Sequence, residues 1–183
     1  MSDSSRDFRL FMVGPMGSGK STVGKVLATL LGCTFVDSDA EIEARCGADI
    51  PWIFDVEGET GFRRREATVL SDLAKRSQIV IATGGGAVVT AENRRLMSET
   101  GVVVYLDVSV EQQLKRTGSG EGRPLLAKGD REATLQKLMV EREPLYRSLA
   151  DIIVSASGGN ARRVAKQIQE QLAARSLLPS TAD

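Results

Sequence analysis

The residues best suited by type and spacing to do chemistry are the nine from Gly14 to Thr22, Gly-Pro-Met-Gly-Ser-Gly-Lys-Ser-Thr. Glycines at 14, 17 and 19 permit a tight turn whose N–H groups point inward, making an anion cradle that opens onto a helix N-terminus. Gly17, Ser18, Gly19, Lys20, Ser21 and Thr22 are expected to wrap phosphate oxygens, with Lys20 reaching the outer phosphates and the Ser21 hydroxyl holding Mg2+. The structural alternative is a glycine-rich turn with no ligand.

Four further groups have chemistry in them. Asp37-Ser38-Asp39 ends an apolar run, so its two carboxylates can face one crevice, although Asp37 or Ser38 could equally cap a following helix. Arg63-Arg64-Arg65 offers three guanidinium groups about 100° apart on a helix, so only one or two can aim at one pocket, and spacing does not say which. Gly84-Gly85-Gly86 follows another apolar run and lets a bulky group touch backbone, or else makes a flexible link. Asp107 ends the run Val102–Leu106 and competes with Asp37 as a metal-directed carboxylate.

Positioning these groups calls for strands alternating with helices. Short runs rich in branched residues recur at Leu10–Val13, Thr34–Val36, Ile79–Ala82, Val102–Leu106 and Ile152–Val154, with helical patterning between them. That reads as an α/β fold, a five-stranded parallel sheet with helices on both faces. Between Asp39 and Lys75 the pattern is helical and charged, broken at Gly47 and Pro51, and reads as a small helical insert (about 38–75). The glycine-rich, charged stretch from Arg116 to Asp130 reads as a lid (about 117–130) in which Arg123 is the candidate phosphate ligand. A long helix from Glu132 to Ala150 carries Arg142, and an amphipathic helix with Val164, Ile168 and Leu172 on one face closes the chain.

Composition narrows the chemistry. The chain has no histidine, which removes Ser-His-Asp and Cys-His nucleophile systems; any general base is a carboxylate, lysine, tyrosine or water. Twenty-four basic residues cancel twenty-four acidic ones, so neither nucleic acid nor membrane is an expected partner. Cys33 and Cys46 are too far apart for a Cys-x-x-Cys motif, and no disulfide is expected. No apolar run approaches the ~20 residues that cross a bilayer and the N-terminus lacks a leader pattern, so a cytoplasmic protein is expected. The length of 183 residues suits a single domain, expected to be monomeric.

A phosphate cradle, a lysine, a carboxylate and hydroxyl for Mg2+, an arginine-bearing insert and a cationic lid together suggest phosphoryl transfer to a small anionic acceptor. The ordered set Gly14–Thr22, Asp37-Ser38-Asp39, Gly61-Phe62-Arg63 with Glu66, Gly84-Gly85-Gly86, Arg123-Pro124-Leu125-Leu126 and Pro144-Leu145-Tyr146 closely resembles the shikimate kinases. The resemblance implies a P-loop NTPase-type three-layer α/β/α fold with strand order 2-3-1-4-5. It also implies ATP-dependent phosphorylation of the shikimate 3-hydroxyl, with ADP as the other product. Site roles follow from it residue by residue. Asp39 would bind the reacting hydroxyl and could act as base, beside Lys20 and Arg123 as catalytic cations. Arg63 and Arg142 would clamp the acceptor carboxylate in a pocket lined by Gly84, Gly85 and Gly86. Asp37 would join Ser21 on the Mg2+ side, and Arg116 would stack on adenine. Some family members add an arginine and a proline from the loop after the last strand; here that stretch is Gly158-Gly159-Asn160-Ala161, so weaker base discrimination is expected. The rival readings are a gluconate or nucleoside monophosphate kinase, and a nucleotide-dependent switch for which Ala127-Lys128-Gly129-Asp130 is a faint guanine-recognition pattern.

Overall fold

A computed structural model describes residues 7–118 and 130–179 of the chain. Its strands are β1 (Arg9–Val13), β2 (Thr34–Asp37), β3 (Ile79–Ala82), β4 (Val102–Asp107) and β5 (Ile152–Ser155). All neighbours pair parallel, in the order β2-β3-β1-β4-β5. This is the arrangement that the resemblance implies. Relative to the apolar runs, the strands gain Asp37, Asp107 and Ser155 at their carboxyl ends, the edge of the sheet that carries the polar residues.

The helices are α1 (Lys20–Leu31), α2 (Ser38–Cys46), α3 (Ile50–Leu73), α4 (Ala91–Thr100), α5 (Val110–Thr117), α6 (Arg131–Leu149) and α7 (Ala161–Ala174), with a 3-10 turn at Ala87–Val89. Alternation along β1 separates the two faces of the sheet. Leu10 and Met12 join Val104, Leu106 and Val154 under α1 and α7, through Val23, Leu27, Val164, Ile168 and Leu172. Phe11 and Val13 join Ile81, Val103 and Tyr105 on the other side, under Ile42, Phe62, Leu70, Met97 and Tyr146. Both faces are covered, so the central strands are apolar at consecutive positions.

The insert is α2 and α3, and its breaks differ from the sequence reading in one respect. Gly47 ends α2 in the left-handed conformation, as expected. Pro51 breaks nothing: it lies in the first turn of α3, where its missing N–H has no helical acceptor to lose, after Asp49 caps the Trp52 N–H. The true interruption is Gly58, at φ 69° and ψ −179°, a backbone conformation that disfavours any side chain. It redirects the helix ahead of the turn that bears Arg63.

Leu27 is fully buried between the sheet and α7. Leu27→Ala is expected to lower stability by about 2–5 kcal/mol, measured by urea denaturation, because the rigid layers on either side cannot collapse into the space.

Candidate active site

The loop between β1 and α1 has the cradle geometry that its glycines imply. Gly17 takes φ 75° and lies against α5, where a Cβ would meet the Thr117 methyl at 3.2 Å and the Gln113 carbonyl oxygen at 3.3 Å. Gly19 precedes α1 in the left-handed conformation, leaving the first N–H groups of that helix at the mouth of the loop. Lys20 folds back over this mouth and donates to the Gly14 and Pro15 carbonyls, at 2.7 and 2.9 Å, and to the Ser18 hydroxyl at 3.2 Å. Ser18 is buried and Thr22 is exposed in the first turn of α1.

Ser21 donates a hydrogen bond to Asp37 Oδ2. The other oxygen of Asp37 caps α2, accepting from the Asp39 and Ala40 N–H groups at 3.0 and 3.2 Å. The cap and the Ser21 contact are therefore divided between the two oxygens of one carboxylate. A hydroxyl and a carboxylate are hard oxygen donors of the kind Mg2+ takes beside substrate phosphates. No group of three or more acidic, histidine or cysteine side chains able to hold a metal by themselves occurs among the described residues. Asp107, the competing carboxylate, is engaged elsewhere: it pairs with Arg147 at 2.9 Å and accepts from the Tyr105 hydroxyl at 3.3 Å.

Beside the cradle, the residues after β3 form a seam of backbone against which charged groups close. A Cβ on Gly84 would stand 2.7 Å from Asp39 Oδ1 and 3.0 Å from Glu66 Oε1, and one on Gly86 would overlap the Arg63 guanidinium. Of the two readings for these glycines, close approach is the one the structure displays. Arg63, with its side chain 15% exposed, pairs with Glu66 at 2.8 Å and Glu59 at 3.1 Å. Its neighbours point elsewhere, Arg64 into solvent and Arg65 bidentate onto Glu57 at 2.6 and 2.8 Å. Those two line a hollow of about 430 Å³ on the outer side of the insert, with Arg45 and Val69. That hollow is on a different face of α3 from the glycines.

Arg142 reaches the same region from α6 and is buried. Four buried polar atoms in this cluster have no hydrogen-bond partner: Asp39 Oδ1, Glu66 Oε1, Arg63 Nε and Arg142 Nε. Unpaired donors and acceptors gathered in one place are unfavourable in the empty protein and favourable around a polar ligand. Burial, assisted by the negative charges of Asp37 and Glu66, lifts Asp39 to about 7, with Lys20 opposing the shift. Burial also raises Glu66, against the pull of Arg63 and Arg142. Sequence reasoning placed Glu66 in a motif without giving it a role; the i,i+3 spacing from Arg63 was the available signal.

On the nucleotide side, Arg116 bridges two loops, donating to the Gly17 carbonyl at 3.2 Å and the Ala156 carbonyl at 2.8 Å. Asn160 caps α7, accepting from the Arg163 N–H at 2.9 Å. Arg123 and nearly all of the expected lid lie outside the described residues.

A phosphate-cradling loop joining the first strand to the first helix of a parallel sheet, with a buried cluster of carboxylates and arginines beside it, defines a P-loop kinase. Comparison with known proteins narrows the class. The family model described as shikimate kinase matches residues 16–173. A shikimate kinase of Halorhodospira halophila is 59% identical over 164 residues, covering 90% of this chain and 93% of the relative. One from Hahella chejuensis is 56% identical over 163 residues, 89% and 85% of the two chains. The solved shikimate kinase of Acinetobacter baumannii, in complex with shikimate, superposes with a TM-score of 0.91 at 48% identity, covering 92% of this chain and 94% of that one. The chain belongs to the shikimate kinase family and is an ATP-dependent kinase. This membership decides against the gluconate kinase, nucleoside monophosphate kinase and switch readings.

The Asp39 shift has a consequence for stability. A carboxyl whose folded value lies above its unfolded one takes up a proton on folding, so Asp39 opposes folding increasingly as pH climbs from 3.8 to about 7. In the ligand-free protein, Asp39→Asn is expected to raise Tm by about 2–5 °C at pH 8 and by much less at pH 4, as read from thermal melts. An equal Tm at pH 8 would mean that this carboxylate is well solvated.

Proposed function

We propose that this chain transfers the ATP γ-phosphoryl group to the 3-hydroxyl of shikimate, giving 3-phosphoshikimate and ADP in the chorismate route to aromatic amino acids. The observation that carries the reading is the placing of Asp39 and Arg63 on the same glycine backbone, Gly84 to Gly86, whose middle residue lies against the phosphate loop.

The division of labour follows from charge and reach. N–H groups from Gly17 to Thr22 hold the phosphates, and Lys20 exchanges its loop carbonyls for phosphate oxygens. Arg63 and Arg142 grip the acceptor carboxylate, for which guanidinium groups are suited by their paired donors. Asp39 accepts the acceptor hydroxyl and takes its proton as that oxygen bonds to the γ-phosphorus; the bridging oxygen leaves with ADP. Ser21 and Asp37 would hold Mg2+, which supplies positive charge against the phosphate oxygens. Arg116 would lie against adenine, and Arg123 would come from the lid (about 117–130) onto the phosphates. The insert (about 38–75) serves as the acceptor-binding part of a single domain. A monomeric enzyme working in the cytoplasm completes the reading, in keeping with the free thiols of Cys33 and Cys46 and with no helix among the described residues being long and apolar enough to cross a membrane.

The test is ADP release with shikimate, gluconate and AMP supplied separately. Turnover with shikimate alone is expected, and turnover only with one of the others would overturn the reading. Within that assay, Arg63→Ala should raise the shikimate KM by about tenfold or more and leave the ATP KM within about twofold, since only the acceptor side loses a charged contact. Equal rises in both constants would contradict the acceptor assignment.

The nucleotide base has fewer protein partners on the side of the loop after β5. The Asn160 side chain is occupied as a helix cap, the Ala156 carbonyl is taken by Arg116, and Gly158 and Gly159 between them carry no side chain. Discrimination of ATP over GTP and CTP in kcat/KM is therefore expected to stay below about tenfold, the range one hydrogen bond commands. A hundredfold preference for ATP would show that another contact reads the base.

A further inference from the structure

The three glycines after β3 touch every part of the site through bare backbone. Gly84 lies against Asp39 and Glu66, Gly85 against the backbone of Gly14, Pro15 and Met16, and Gly86 against Arg63. A stretch without side chains cannot hold itself in place by packing, so its position must be imposed from outside. The group that imposes it on Gly85 is a phenol 61 residues further along the chain. The Tyr146 hydroxyl donates to the Gly85 carbonyl at 2.5 Å. The Arg142 guanidinium lies close to the same hydroxyl, and the two side chains line one small hollow with Pro15 and Met16.

The ring is secured separately. It is almost wholly buried and stacks on Tyr105 with centroids 5.1 Å apart and an interplanar angle of 21°. Packing alone therefore accounts for an aromatic residue at this position but not for its hydroxyl, which a phenylalanine would lack at no loss of stacking. None of the roles assigned above uses this oxygen. Burial pushes its pKa up to about 12, so it remains a protonated donor throughout the neutral range.

Resting on the proposed reaction, we propose that Tyr146 is a positioning residue for the transfer step: its one hydroxyl fixes the Gly85 peptide beside Arg142 and so holds the carboxylate clamp in register with the phosphate loop. Gly85 is the link. Its carbonyl is held by Tyr146, while its Cα side is 3.4 Å, measured from an ideal Cβ, from the Met16 N–H nitrogen at the entrance to the cradle. Without the hydroxyl, Arg142 loses a fixed neighbour and the Gly85 carbonyl loses its donor. The acceptor would then bind in a looser orientation relative to the γ-phosphate, and misplacement of this kind costs both affinity and rate.

The test is Tyr146→Phe in the full chain, assayed with shikimate and ATP and compared with Arg142→Lys and the double variant. Tyr146→Phe is expected to raise the shikimate KM about tenfold, lower kcat about threefold and leave the ATP KM within about twofold. In the double variant the tyrosine change should add less than about twofold to the effect of Arg142→Lys, because the two residues act as one unit. A purely structural role predicts instead a lower Tm with additive effects, or parallel rises in both KM values; either result overturns the proposal, as does a Phe variant with wild-type constants. Tyr146→4-aminophenylalanine, which keeps the ring and a donor, should stay within about threefold of wild type, and a tenfold loss there would also overturn it. This variant remains informative if the Phe variant fails to fold. Wild-type protein that does not turn over shikimate would sink the proposed reaction itself, a result distinguishable from failure of the tyrosine assignment.

Discussion

Asp39 and Glu66 approach one backbone atom from two different helices, and they can do so only because residue 84 has no side chain. The charged cluster proposed to take the acceptor depends on this space. A methyl group at that point would stand 2.7 Å from Asp39 and 3.0 Å from Glu66, pushing both carboxylates away from the arginines and the phosphate loop. Everything polar in the site is arranged around backbone that occupies no more room than it must, two residues beyond the end of β3.

The same crowding explains the electrostatics. Burial is the main reason that Asp39 resists ionisation and rises to about 7, and the carboxylates of Asp37 and then Glu66 add to it. Arg63 and Arg142 offset the charge of Glu66 without saturating it, since one oxygen of Glu66 and one nitrogen of each arginine lack partners. A site in this condition is under-satisfied by itself, as the proposed hydroxyl- and carboxylate-bearing acceptor requires. A carboxylate poised near neutrality can accept a proton at the pH where it works, and the arginines are already desolvated where an acid would bind. The cost falls on the stability of the empty protein, a common feature of functional sites.

The sheet brings the pieces together. β1 delivers the phosphate loop, β2 delivers Asp37 and Asp39, and β3 delivers the glycines, and the pairing of β2 with β3 and β3 with β1 sets their carboxyl ends side by side. Open parallel sheets bind ligands at this edge because the chain leaves each strand there and turns into a helix whose N–H groups are unpaired. Helices α3 and α6 then close over the edge from one face, carrying the arginines and Tyr146.

Much of the fold was legible along the chain. The phosphate loop and the five strands follow from local rules, glycines where the backbone must turn or be approached and branched runs for strands, whereas the parts given to Arg63 and Arg142 came from the family resemblance. What local rules left open was direction. Among Arg63, Arg64 and Arg65 only the first faces the site, because Gly58 rather than Pro51 resets the helix ahead of them. Between Asp37 and Asp107, the latter is claimed by Arg147, forty residues away. Glu66 and Tyr146 stand in motifs of the family pattern, but what each holds is seen only with its partner, Arg63 and the Gly85 carbonyl. The sequence by itself determined which groups are available and on which elements they ride, since backbone conformation and periodicity are local properties. Only the tertiary structure decided which charges meet, because a long side chain is aimed by neighbours that the chain brings back from dozens of residues away.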